Sequence, residues 1–284
     1  MKGSWVASGG RVEQLAINPN RVVGYRLQVS GTTDVGRKRQ LNEDVFLVDE
    51  ELGVYLVADG MGGHAAGEVA SRLAADEIFR GFSGRSTLTQ ENWPEHWDMD
   101  RSATANFLVD AVLAGHERVT NAVNRDPNLK GMGTTVVVAV HPAASRNLVI
   151  CHVGDSRAYR FRRNRLEVLT EDHSWVHEQV AAGFLTEEAA RTHPLKNVVT
   201  QALGGSAEPR VDFLETEMMN GDVYLLCSDG LNSMLTDDEI SALLAEDISL
   251  DDRAEKLVES ANERGGNDNI TVVLLEASQI SADG

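Results

Sequence analysis

Apolar and polar positions alternate between two periods along this chain, and the changes of period mark its elements. Val54-Tyr55-Leu56-Val57-Ala58 is a short continuous apolar run that reads as a buried strand, and it stops at Asp59-Gly60-Met61-Gly62-Gly63-His64. Beyond His64 the period becomes helical: Ala66, Val69, Ala70, Leu73, Ala74 and Ile78 fall on one face of a helix expected to run to about Phe82. A second amphipathic helix is predicted around Phe107, Leu108, Ala111, Val112, Val119 and Val123, stopped by Asp126-Pro127-Asn128. Further strands are predicted at Tyr25–Val29, Val45–Val48, Val136–Val140, Leu148–Val153, Val211–Glu215, Val223–Cys227 and Ile270–Leu275. Ala158–Phe161 and Leu166–Leu169 read as a hairpin with a basic tip of Arg162, Arg163, Asn164 and Arg165. Thr236-Asp237-Asp238-Glu239 is a helix N-cap with acid in its first turn, and the helix carrying Ala254, Leu257, Val258 and Ala261 ends at Gly265-Gly266.

Three stretches stand outside this pattern. Residues 1–22 form a lead-in with little periodicity, ahead of one domain expected over 23–279. Residues 83–102, which include Trp93 and Trp97, read as a surface excursion in which local packing of the aromatics is favoured over a partner-binding role. Residues 172–205 are polar and helical between two strands, the composition of a mobile or substrate-reading element, with Leu185-Thr186-Glu187-Glu188-Ala189 as a capped helix. His173, His177 and His193 fall here without the paired spacing of a zinc helix, and they are read as loop residues.

Acidic residues recur where strands end. Asp59 follows one strand, Asp155 in Gly154-Asp155-Ser156-Arg157 a second, and Asp229 in Ser228-Asp229-Gly230 a third. Asp268 in Asn267-Asp268-Asn269 precedes a fourth, and Glu43-Asp44 opens a fifth. A single such acid is an ordinary turn former; five together favour one shared site for cations. Arg37-Gln40 places cationic side chains directly before Glu43-Asp44, and an arginine fork there is suited to a phosphate. All-oxygen ligands favour Mg2+ or Mn2+ over zinc, and two such ions sharing a water would direct it at phosphorus.

Composition changes the picture at a few points. The 284 residues are 42% apolar, enough for a full core. The formal charge of -18, from 44 acidic and 26 basic residues, excludes a general binder of nucleic acid or of anionic membranes. No apolar run reaches the ~18 residues of a membrane span. Cys151 and Cys227 both lie inside apolar strand runs and read as reduced core residues, which fits a cytoplasmic protein. No Cys-x5-Arg loop offers a thiolate route to phosphate chemistry, and a monomer is the default expectation.

Taken in order, Arg39-Gln40-Leu41-Asn42-Glu43-Asp44, Val57-Ala58-Asp59-Gly60-Met61-Gly62-Gly63-His64-Ala65-Ala66-Gly67-Glu68, Gly131-Met132-Gly133-Thr134-Thr135, Val153-Gly154-Asp155-Ser156-Arg157, Cys227-Ser228-Asp229-Gly230 and Gly266-Asn267-Asp268-Asn269-Ile270-Thr271 form a specific set. In them the chain resembles the metal-dependent serine/threonine protein phosphatases, the PPM or type-2C family, in its bacterial form. The resemblance implies an α+β fold of four layers, two antiparallel sheets packed together between helix pairs. It implies that Asp59 bridges two Mn2+ or Mg2+ ions, with the Gly60 carbonyl helping to bind one. Asp229 and Asp268 would complete the first ion, and Glu43, with Asp44 through a water, the second. Arg39 would bind the substrate phosphate, Asp155 would join Asp229 at a third, weaker ion, and residues 172–205 would match the family's flap. Animal members carry a His two residues after the bridging Asp; here that position is Met61, so the proton donor stays open between His64 and a metal-bound water. The expected activity is hydrolysis of phosphoserine and phosphothreonine in proteins, including substrates of Ser/Thr kinases, without a covalent phospho-enzyme. The alternatives are a non-catalytic phosphoprotein-binding module and a phosphatase of small molecules.

Overall fold

A computed structural model describes residues 24–62, 66–84, 97–142, 145–205 and 207–280. The lead-in, most of the 83–102 excursion with Trp93, and His64 lie outside the described residues. In chain order the elements are β1 (Gly24–Asp34), β2 (Asp44–Asp49), β3 (Val54–Met61), α1 (Ala66–Ser83) and α2 (Ala103–Arg125). A 3-10 turn at Pro127–Leu129 leads to β4 (Gly133–Thr134), β5 (Val136–Val140), β6 (Asn147–Val153), β7 (Arg157–Arg162) and β8 (Arg165–Val168). Then follow α3 (Trp175–Ala181), α4 (Glu187–Thr192), β9 (Asp212–Glu217), β10 (Val223–Cys227), α5 (Asp229–Asn232), α6 (Asp237–Leu244), α7 (Leu250–Glu263) and β11 (Ile270–Ile280).

The strands form two antiparallel sheets, ordered β1-β11-β10-β7-β8 and β2-β3-β5-β6-β9, with β4 pairing β3. Strand β3 shows why its sequence is apolar on both faces. Tyr55 and Val57 point between the sheets, where they join Val137, Ile150, Leu226, Tyr224, Val273 and Leu275. Val54, Leu56 and Ala58 point outward, against Ala70, Ala74 and Ile78 of α1 and Leu108 and Val112 of α2. On the other outer surface Leu225, Val272 and Leu274 meet Leu231 of α5, Ile240 of α6, and Leu257 and Ala261 of α7. Three apolar layers therefore hold four layers of structure together, and the α/β/β/α sandwich expected from the resemblance is what the chain forms.

Local signals set the helix starts. Ser102 accepts a hydrogen bond from the Ala105 amide at the head of α2. Thr236 and Glu239 form a reciprocal capping box on α6, and Thr186 caps α4. The differences from the sequence reading are small and have physical causes. Val69, placed on the buried face of α1, is 38% exposed, because the buried stripe runs along Ala66, Ala70, Ala74 and Ile78 and widens toward Gly67, Ser71 and Ala75 rather than toward Val69. Arg162 belongs to β7 rather than to the hairpin tip; its guanidinium pairs with buried Asp222, leaving Arg163 and Asn164 as the turn at positive φ. β1 and β11 are longer than their apolar cores because eleven residues of each pair with one another. Trp97 packs edge-on against Phe107, with ring centroids 5.4 Å apart.

The pairing registers carry the acidic turns to one end of the sandwich. Asp34 of β1 lies opposite Ile270, so the 35–43 loop starts beside Asp268 and Asn269. Asp44 is the direct partner of Asp59 across β2 and β3. Cys227 lies opposite both Val272 and Arg157, which brings the chain just before Asp229 next to the chain just after Asp155.

Candidate metal centre

Backbone and hydroxyl contacts fix Asp44, the Asp59 backbone and the Glu43 loop. Asp44 has its Oδ2 bonded by the hydroxyls of Ser228 and Thr271, both at 2.7 Å, while its Oδ1 is buried with no hydrogen-bond partner. The Asp59 backbone is fixed by Thr134 and Thr135, whose hydroxyl and amide donate to its carbonyl at 2.8 and 2.9 Å. Asn269 ties the loop together: its Oδ1 accepts from the Glu43 amide at 2.8 Å, and its Nδ2 donates to the Val35 and Leu41 carbonyls at 2.9 Å each. Glu43 sits at the head of α1, where its Oε1 accepts from the Gly67 amide at 3.2 Å and the helix N-terminus favours its charge.

Close backbone approach explains the glycines that follow the acids. A Cβ on Gly60 would lie 2.2 Å from the Gly67 carbonyl oxygen, and one on Gly230 would lie 1.9 Å from that of Asn269.

The carboxyls burden one another. Burial, then the charges of Asp44, Asp229, Asp155 and Asp268, push the Asp59 pKa well above the usual carboxylate range. Burial raises Asp44 to about 7, against the pull of its two hydroxyl partners. Burial and Asp268 raise Asp229 to about 6, although a hydrogen bond with Asp59 and the charge of Arg39 oppose the rise. Asp155 is raised by burial and by Asp229 and Asp172. The Asp229 Oδ1, like that of Asp44, is buried without a partner. Arg39 is the cation at this cluster: its Nη2 donates to Asp268 Oδ2 at 2.7 Å, and its Nη1 lies 3.5 Å from Glu43 Oε2. Its side chain remains 46% exposed, so its fork faces solvent as well as the acids.

All eight positions singled out in the sequence, Arg39, Glu43, Asp44, Asp59, Gly60, Asp155, Asp229 and Asp268, thus lie at one end of the sandwich. Oxygen-only donors, two orphaned buried carboxylate oxygens and mutually raised pKa values fit a group of hard divalent cations better than they fit an empty acidic pocket. A groove of about 530 Å3 opens beside Asp155 and Asp229 and runs between α3 and α4 on one side and Met234–Asp237 on the other. The supporting residues Asn269, Ser228, Thr271 and Ser71, the last donating its hydroxyl to the Glu43 carbonyl at 2.6 Å, had no role in the sequence reading. Thr271, a hydroxyl inside an otherwise apolar buried strand, was the legible signal among them. His173 does lie in a loop, as the sequence suggested, but it is 3% exposed and bonded at both ring nitrogens, which the sequence did not show.

Two antiparallel sheets between helices, with strand-end carboxylates and one arginine, define the class of a cation-dependent phosphate-handling protein. The family profile described as Protein phosphatase 2C matches residues 33–274, and the chain belongs to that family. It is 38% identical over 247 residues to the serine/threonine phosphatase Stp of Listeria welshimeri, covering 86% of this chain and 93% of that one. The structure of the serine/threonine phosphatase Stp1 from Staphylococcus aureus superposes with a TM-score of 0.79 at 31% identity, over 93% of this chain and 98% of that one. The catalytic domain of the phosphatase PstP, solved in complex with two manganese ions, gives a TM-score of 0.75 at 32% identity, over 89% of this chain and 99% of that one.

Proposed function

We infer that this chain hydrolyses phosphoserine and phosphothreonine in proteins and depends on Mn2+ or Mg2+ to do so, as its membership of the family and the manganese-bound relative support. The observation that carries the reading is the meeting of Asp44, Asp59, Asp155, Asp229 and Asp268 with their charges unbalanced, next to a half-exposed Arg39. Asp59 with Asp229 and Asp268 would hold one ion, and Asp59 with Glu43, aided by Asp44, a second, the Gly60 carbonyl helping to bind one of the two. Asp155 with Asp229 would hold a third. When bound, such ions act as Lewis acids that make water nucleophilic near neutral pH and offset charge on a phosphoryl group.

The remaining work falls to the chain itself. Arg39 offers its planar fork to the phosphoryl oxygens, with Asp268 and Glu43 keeping the guanidinium aimed. The Ser228 and Thr271 hydroxyls, the Thr134 hydroxyl and the Thr135 amide keep the acids from shifting as charge develops. The groove beside Asp155 takes the polypeptide that flanks the phosphorylated residue. A cysteine nucleophile is not supplied by the described residues: Cys151 and Cys227 are buried, and burial pushes both thiols up, Cys227 to about 12. Membership of the family supports direct attack by water on phosphorus, with no phospho-enzyme.

The test is turnover of a phosphothreonine peptide beside p-nitrophenyl phosphate with added Mn2+. Both are hydrolysed, and EDTA stops both. Full activity in EDTA-treated, cation-free protein refutes the mechanism, and turnover of the small ester alone refutes the protein substrate.

A further inference from the structure

The excursion between β8 and β9 returns to its own starting point. Ser174 pairs with Val199 in an isolated antiparallel bridge. The Thr200 amide donates to the His173 carbonyl and the Trp175 amide to the Val198 carbonyl, both at 2.8 Å. Its neck therefore lies at residues 172–174 and 198–200. Two consecutive neck residues reach the β6–β7 turn on opposite sides of Asp155. Asp172 accepts a two-pronged bond from Arg157, Nε to Oδ1 and Nη2 to Oδ2, each 2.7 Å. His173 takes both backbone groups of Gly154: its amide donates to the Gly154 carbonyl at 2.9 Å, and its Nδ1 accepts from the Gly154 amide at 3.2 Å. Gly154 itself has φ +103°, and a Cβ there would lie 2.6 Å from the Thr135 side chain, so this turn has little freedom to be built from another residue.

The ring of His173 continues outward. Because Nδ1 accepts an amide proton, the neutral imidazole carries its own proton on Nε2; of the two groups beside that atom, Asp212 Oδ2 at 3.1 Å and Arg210 Nη2 at 3.3 Å, only the carboxylate can accept it. Arg210 completes the chain, with its Nη2 2.9 Å from Oδ2 and its Nε 2.8 Å from Oδ1 of Asp212. His152 lies against the His173 ring, with centroids 4.8 Å apart. His152, His173 and Asp212 offer atoms within 4.8 Å of one another, which is the spacing of a cation site. Yet both His173 nitrogens are in use and a guanidinium already occupies the Asp212 carboxylate. The cluster is a hydrogen-bond relay, not a second metal cradle.

We propose that His173 is a positioning residue for the cation site: it clamps the Gly154–Asp155 turn to the neck of the 172–200 excursion and to the edge strand β9, and so sets where the Asp155 carboxylate stands beside Asp229. The inference rests on the reading of Asp155 as a cation ligand. Asp44, Asp59 and Asp268 are held by other elements, so the relay governs the ion at Asp155 and leaves the others alone.

The experiment measures free Mn2+ by electron paramagnetic resonance while Mn2+ is titrated into the full chain, with KM and kcat recorded in parallel. His173→Phe weakens the loosest class of Mn2+ by about tenfold, as loss of a residue behind a ligand does, and leaves the tighter classes unchanged. His173→Asn, whose amide oxygen replaces the Nδ1 acceptor, restores the loose class. Asp155→Asn removes that class altogether. Unchanged Mn2+ binding in Asp155→Asn overturns the ligand reading itself. Loss of the class in Asp155→Asn with its retention in His173→Phe overturns the relay, as does equal weakening of every class. A measurement on the unaltered protein stands apart from any variant's folding: the imidazole nitrogen spectrum shows His173 protonated on Nε2, and protonation on Nδ1 sinks the proposal.

Discussion

Asp59 is partly buried and has four acidic neighbours whose charges act on it, so its ionised form is more readily tolerated when cations share the load. Replacing it by Asn keeps the shape and removes one ligand charge. Changes behind a metal ligand cost ~10–100-fold in affinity or activity, and a change to a candidate ligand should cost more. Asp59→Asn and Asp229→Asn are therefore expected to lower kcat for a phosphothreonine peptide by more than ~100-fold, with Mn2+ binding reduced in calorimetry. Activity within tenfold of the unaltered protein would remove Asp59 from the centre. Arg39 acts on the other partner. Lysine in its place keeps the charge but loses the planar fork, and one lost charged hydrogen bond is worth about 1.5 kcal/mol, or roughly tenfold in affinity. Arg39→Lys should thus raise KM about tenfold while Mn2+ binding persists; an unchanged KM argues that the fork does not touch phosphate.

At the level of elements, the site is a property of strand ends and of the backbone contacts between them. Gly230 lies in α5 with the Asn269 carbonyl where a Cβ would stand. Gly230→Ala forces α5 and the Asp268–Asn269 turn apart, at a cost of about 3 kcal/mol, and moves Asp229 and Asp268 together. Urea unfolding would read the stability, and a loss of Mn2+ affinity larger than the loss of stability would show that the two acids are displaced as a pair. A native-like midpoint would mean the turn can yield. Leu226, fully buried between the sheets, supplies the contrast. Leu226→Ala should cost about 3 kcal/mol through its cavity yet leave KM and Mn2+ binding unchanged in the folded fraction, because its contacts lie in the layer between the sheets.

For the whole molecule, the acids at one end of the sandwich couple stability to pH and to cations. With no cation bound, Asp44 titrates near 7 and Asp229 near 6 in the folded chain, both above their ordinary value of 3.8. The folded chain therefore binds more protons than the unfolded one across that interval, and stability falls as pH rises through it. The cluster, rather than any one acid, sets the midpoint. In EDTA the melting temperature should drop by ~5 °C or more between pH 5 and pH 8, and millimolar Mn2+ should remove most of the drop. A cation-free melting temperature that climbs over the same interval contradicts the account. No helix among the described residues is long and apolar enough to cross a membrane.

The sequence by itself determined the elements and the chemistry of the site. Strands buried on both faces must be apolar throughout, helices on one face must repeat at 3.6, and carboxylates with glycine beside them mark turns where backbone comes close. Such signals are local, so Asp59, Asp155, Asp229 and Asp268 could be picked out without coordinates, whereas Arg39 was singled out of its cationic turn only by the resemblance to the family. Tertiary structure decided what depends on residues far apart in the chain. Arg39 meets Asp268 across 229 positions, and Ser228 and Thr271 meet Asp44 across 184 and 227. Strand register brings together the segments that carry them, and a hydroxyl in an apolar strand does not name its partner. His173 was placed correctly in a loop, but its partners were invisible for the same reason: they lie in Gly154 and Asp212, which share no pattern with it until the sheets form.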